Sequence, residues 1–97
     1  MIFGYVRVST KEQKEERQIQ AIKDYCKELE DENIYVDKES GKDFNRTNYQ
    51  ELKKVLRKGD ILIIKELDRL GRNKEGIKEE LDYFKQNQIR VKILNIP

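Results

Sequence analysis

The sequence predicts an α/β domain: a three-layer sandwich around a mostly parallel sheet of four strands. Short apolar runs at Ile2 to Val8, Ile34 to Asp37, Asp60 to Ile64 and Arg90 to Ile96 alternate with longer amphipathic stretches, giving the order β-α-β-α-β-α-β. The runs at 2–8 and 60–64 are apolar almost throughout, as expected of strands covered on both faces. Alternation of this kind is solved by parallel pairing with right-handed crossovers.

Each element has its own signal. Lys11 to Asp31 reads as a helix, with Ile19, Ile22, Cys26 and Leu29 on one side at helical spacing. Thr10 and Gln13 have the form of a capping box at its start, and the polar first turn also allows a later beginning. Lys38 to Arg46 is a polar loop containing Gly41, expected to be mobile. Thr47 and Gln50 form a stronger capping box. They open a helix that turns Leu52, Val55 and Leu56 inward and stops at Gly59. Asn73 caps a third helix with Ile77, Leu81 and Phe84 on one face. There is no internal repeat or interdomain linker. Because Pro97 directly follows a strand, residues 1–97 are expected to be one domain cut from a longer protein.

Composition narrows the classes. Of the 97 residues, 36% are hydrophobic and 41% charged, so the core must come from a few well-placed segments; their periodicity argues against disorder. A net charge of +2 does not by itself mark a nucleic-acid binder. No apolar run is long enough for a membrane span and no secretory leader opens the chain, so a cytoplasmic protein is expected. Cys26 is the single cysteine; it excludes an internal disulfide, and its place on an apolar stripe reads as a buried inert thiol. The absence of histidine removes the commonest general base and metal ligand, and with one cysteine a zinc site is not expected.

The chemistry-bearing residues gather at strand ends. Ser9 follows the first strand, where a serine ordinarily serves as a cap or turn residue. Arg7 lies two residues upstream and leaves the same strand face. A guanidinium in an apolar strand needs an anion at the strand's open end, and a salt bridge to Asp68 would supply one structurally. Asp68, Arg69 and Arg72 follow the third strand and reach the same sheet edge, where α/β proteins bind ligands. Taken alone, that cluster would be a solvated charge group. Arg46, at the end of the polar loop, would alone be a surface residue. Together they place one hydroxyl, several guanidiniums and one carboxylate at one edge. Guanidinium forks match phosphate oxygens in bidentate fashion and stabilise charge that builds on them during attack. Without histidine, Ser9 is left with three routes of activation: the positive field, Asp68, or an arginine acting in proton transfer.

Tyr5-Val6-Arg7-Val8-Ser9-Thr10, Glu12-Gln13, Arg17-Gln18, the Gly41 to Arg46 loop and Leu67-Asp68-Arg69-Leu70-Gly71-Arg72 resemble the catalytic domain of the serine recombinases, the resolvase/invertase family. The resemblance covers essentially the whole chain. It implies that Ser9 attacks a DNA phosphodiester, leaving a 5′-phosphoserine link and a free 3′ hydroxyl, with strand exchange and religation to follow. It implies that Arg7, Arg46, Arg69 and Arg72 bind and activate the phosphate, that Asp68 orients arginines or moves a proton, and that Gln18 is a polar active-site residue on the first helix. Double-stranded DNA is the implied partner, with a homodimer and homotetramer in the full-length protein and no metal or small-molecule cofactor. The family's long dimerisation helix and separate DNA-binding domain would lie downstream and are absent here, so the chain alone is expected to be inactive or weakly active.

Two other classes are consistent with parts of the pattern. A phosphate-receiver or nucleotide-binding domain would need acidic metal ligands after the first strand or a glycine-rich phosphate loop, and the chain has Arg7 and Ser9 there instead. A non-catalytic DNA-binding or assembly module would need the charges but not the serine.

Overall fold

The computed structural model describes residues 1–8, 15–38, 46–66, 69–70 and 73–95. Strands β1 (Ile2–Val8), β2 (Ile34–Lys38), β3 (Ile61–Ile64) and β4 (Arg90–Ile93) alternate with helices α1 (Glu15–Tyr25), α2 (Thr47–Val55) and α3 (Lys74–Gln86). The strands form an all-parallel sheet in the order β2-β1-β3-β4, so the expected fold class is the observed one.

Strand alternation divides the core in two. Phe3, Tyr5, Leu62 and Ile64 face α2 and α3, where they pack with Tyr49, Leu52, Leu56 and Phe84. Val6, Val8 and Ile63 face the other way, toward Ile22 of α1 and Leu29. This arrangement follows from the strand order. The chain moves from β1 to β2 in one direction, then reverses to reach β3 and β4. With crossovers of one hand, reversing direction moves the connecting helix to the opposite face. The reversal makes the C-terminal ends of β1 and β3 the topological switch point of the sheet, the place where open α/β sheets bind ligands.

Several boundaries differ from the sequence pattern. The Thr10–Gln13 box lies outside the described residues. The first helix ends at Tyr25 rather than Asp31. The Cys26 amide still bonds the Ile22 carbonyl at 3.0 Å, but the Leu29 amide then turns back to the Cys26 carbonyl at 3.1 Å. A 3₁₀ turn over Asp31–Asn33 leads into β2. The turn lowers Leu29 into the core above Gly4, which a straight helix would not do. Cys26 is only half-buried against that apolar cluster, less enclosed than the buried thiol its stripe position predicts, because the helix ends at Tyr25. β3 begins at Ile61 because Asp60 closes the preceding turn, accepting the Arg57 amide at 2.8 Å, while Gly59 takes φ +90°. β4 ends at Ile93, although Leu94 and Asn95 still donate to Ile64 and Lys65 at 3.0 and 2.7 Å. Asn73 caps α3 as expected, its side chain accepting the Gly76 amide at 2.7 Å. Among the described residues, no helix is long and apolar enough to cross a membrane.

Gly4 sets the distance between α1 and the sheet. A Cβ there would lie 3.2 Å from Leu29 Cδ2 and 3.3 Å from Ile22 Cγ2, both in a packed core. Gly4→Val is therefore expected to lower unfolding free energy by about 1–3 kcal/mol, the usual cost of overpacking. A urea titration with an unchanged midpoint would show that α1 yields without cost.

Candidate active site

The described part of the site is assembled around a carboxylate that sequence reasoning passed over as the end of a strand. Asp37, 4% exposed, lies on β2 beside Arg7 of β1 in the parallel register. Its Oδ2 accepts the Tyr5 hydroxyl at 2.8 Å and the Tyr49 amide at 2.9 Å, and its Oδ1 accepts the Asn48 amide at 3.0 Å. Asp37 therefore caps α2 from a different element. The Thr47–Gln50 capping box does not form: Arg46 is the N-cap residue, no side chain caps locally, and Thr47 is already helical. The reason is geometric. A carboxylate fixed at a strand end reaches the first free amides of the helix, and its charge complements the helix dipole there.

This cap places Arg46. Its guanidinium packs over the Tyr49 ring at 4.4 Å, and its Nη1 donates to the carbonyls of Arg69 and Leu70 at 3.2 and 2.8 Å. Arg46 is thus half-buried and bridges the start of α2 to the segment after β3, rather than lying on the surface as a lone loop arginine would. Leu70 is fully buried in the core, which anchors that segment. Arg69 lies 3.7 Å from Glu66 across one turn, with its amide on the Glu66 carbonyl at 3.1 Å.

Arg7 leaves β1 on the Tyr5 face by strand alternation. Its carbonyl accepts Gln18 Nε2 at 3.2 Å, which ties α1 to the same strand end. Gln18 is 4% exposed, and among the described residues its Oε1 has no hydrogen-bond donor. The structure therefore brings Arg7, Gln18, Arg46 and Arg69 to the C-terminal edge of the sheet. Ser9, Asp68 and Arg72 lie outside the described residues, as does most of the 38–46 loop.

Tyr5, Asp37, Tyr49 and Glu80 were not read as site residues from the sequence. A signal existed for Asp37: a carboxylate closing an apolar strand at the ligand-binding edge. Both tyrosine hydroxyls have pKa values raised well above the ordinary value of 10.0. Burial is the main cause, reinforced by the carboxylate each one donates to, Asp37 for Tyr5 and Glu80 for Tyr49; the positive charge of Arg46 pulls the other way on both.

Residues 2–97 match the family described as Resolvase, N terminal domain. The chain belongs to the resolvase family. It is 34% identical over 94 residues to the Transposon Tn3 resolvase of Escherichia coli, covering 97% of this chain and 50% of that protein. It is 33% identical over 94 residues to a resolvase/recombinase of Pseudomonas putida, covering 97% and 51%. To a resolvase of Clostridium perfringens it is 36% identical over 92 residues, covering 95% and 48%. This resolvase domain spans about half the length of the curated relatives it matches.

Two outcomes are expected from the Asp37 node. Asp37→Ala removes a helix cap and leaves the buried Tyr5 hydroxyl without its acceptor, so stability should fall by roughly 2–4 kcal/mol in chemical denaturation. A loss no larger than that of an exposed Asp→Ala change would contradict the node. The tyrosines give a pH test. Their folded pKa values lie above the unfolded value, so the stability they contribute is complete below about pH 10 and declines as pH rises beyond it. In an alkaline absorbance titration, Tyr5 and Tyr49 should ionise only together with loss of circular dichroism, and Tyr5→Phe should diminish that coincident phase.

Proposed function

We propose that the chain is the catalytic domain of a site-specific serine recombinase acting on double-stranded DNA. The observation that best supports this reading is that Arg7, Arg46 and Arg69, from three separate segments, lie toward the C-terminal edge of the sheet, at the end of the strand that Ser9 directly follows in sequence. Cations gathered there by the fold suit a phosphodiester.

In this reading the Ser9 hydroxyl oxygen attacks phosphorus and the 3′ oxygen leaves, taking up a proton. A 5′-phosphoserine ester and a free 3′ hydroxyl result. Arg7, Arg46, Arg69 and Arg72 hold the non-bridging oxygens and offset the charge gained in the pentacoordinate transition state. Asp68 orients those guanidiniums or carries the proton. Gln18 steadies the end of β1 through the Arg7 carbonyl. After strand exchange, a 3′ hydroxyl attacks the phosphoserine and releases Ser9. The ester retains the energy of the broken bond, so religation needs no metal or nucleotide cofactor.

The dimerisation helix and DNA-reading domain belong, in this proposal, to sequence beyond residue 97 of a longer cytoplasmic protein that works as a dimer and then a tetramer. Half-length coverage of the relatives supports that division.

The test is covalent trapping. The full-length recombinase that carries this domain should form a protein–DNA adduct on its cognate site, Ser9→Ala should abolish it, and exposed lysine→Ala variants should retain it. Persistence of the adduct in Ser9→Ala would overturn the assignment; DNA binding with no adduct in any form would point to the non-catalytic module. For the 97-residue chain alone, a gel-shift assay should show no sequence-selective binding.

A further inference from the structure

Arg46 rests on a platform whose far end reaches α3. The Tyr49 ring beneath the guanidinium is fully buried and packs against Tyr5, ring centres 4.8 Å apart. Its hydroxyl donates to Glu80 on α3. The same Glu80 oxygen accepts Lys53 Nζ at 3.0 Å, and Lys53 itself lies over Tyr83 at 4.3 Å and Tyr49 at 5.3 Å. The Lys53 and Glu80 side chains are each only 19% exposed.

A polar triad is a costly way to fill the space between two helices. Two aliphatic side chains would bury there without desolvating a carboxylate and an ammonium. What hydrogen bonds add is a single fixed orientation, and the ring held in that orientation is the one that seats Arg46. Arg46 in turn spans two carbonyls, at 3.2 and 2.8 Å, so a tilt of the ring would be felt directly at the Arg69–Leu70 segment.

We propose, building on the recombinase reading above, that Tyr49 and Glu80 are positioning residues: the α2–α3 hydrogen bond fixes the Tyr49 ring, and the ring holds Arg46 in place for the phosphate. Neither residue touches DNA. Packing of α3 against α2 is thereby coupled to the placement of Arg46.

The test has two arms. In the chain itself, nitrogen-15 NMR of the arginine side chains should show hindered rotation of the Arg46 guanidinium. That signature should be averaged away in Tyr49→Phe and Glu80→Leu and kept in Glu80→Gln, which retains an acceptor. In the full-length recombinase, Tyr49→Phe and Glu80→Leu should slow adduct formation at saturating DNA roughly ten- to hundredfold, the scale of a small misplacement of a catalytic group. The DNA concentration for half-saturation should not move, and Glu80→Gln should stay within a few-fold of the parent. Leu29→Ala, in the core on the opposite face of the sheet, serves as a control that loses stability without changing that rate. Unchanged Arg46 signals in Tyr49→Phe and Glu80→Leu would overturn the proposal, as would an equal slowing in Leu29→Ala. If the unaltered protein forms no adduct, the recombinase reading fails on its own, and the Arg46 signals still decide whether Tyr49 and Glu80 position that side chain.

Discussion

The Asp37 carboxylate is the interaction on which the rest of the site depends. It accepts a hydroxyl from β1 and two amides from the start of α2 while standing on β2. A buried carboxylate is tolerable only when its oxygens are satisfied, and here three donors from two other elements satisfy them. The same contacts settle where α2 begins and hence where Arg46 stands. Arg46 then reaches the segment after β3, which the buried Leu70 fixes to the core. One desolvated group therefore links the ends of β1, β2 and β3.

Such a linkage suits a cluster of like charges. Arginines brought close together repel one another, and an exposed loop would let them separate. Here Arg46 is held through main-chain and ring contacts, while Arg69 lies 3.7 Å from Glu66. Arg46 uses carbonyls and an aromatic face, while the carbonyl of Arg7 is held by Gln18. Contacts such as those of Arg46 fix a guanidinium in position without cancelling its charge.

Much of this was legible in the sequence because it rests on periodicity. The four strands, their parallel pairing and the Asn73 cap follow from local patterns of apolar and capping residues, while the order β2-β1-β3-β4 does not. The gathering of Arg7 and Arg69 at one edge follows from their place at strand ends. What escaped depends on partners distant in sequence. Asp37 caps a helix from another element, so the local Thr47–Gln50 pattern gave the wrong partner. Tyr49 and Glu80 look like ordinary helix residues until α2 and α3 are packed. The early end of α1 was hidden because Leu29 keeps helical spacing from Ile22 and Cys26 while reaching the core through a turn. Burial and long-range hydrogen bonds are properties of the assembled fold, and single-sequence patterns do not contain them.

The central claim is that the fold gathers cations around a serine that becomes joined to DNA. Its most direct test is to digest the trapped protein–DNA complex of the full-length recombinase with protease and nuclease and locate the nucleotide by mass spectrometry. The expected result is a 5′-phosphorylated nucleotide esterified to Ser9. A nucleotide on a tyrosine or on another serine, or one joined through its 3′ phosphate, would contradict the account.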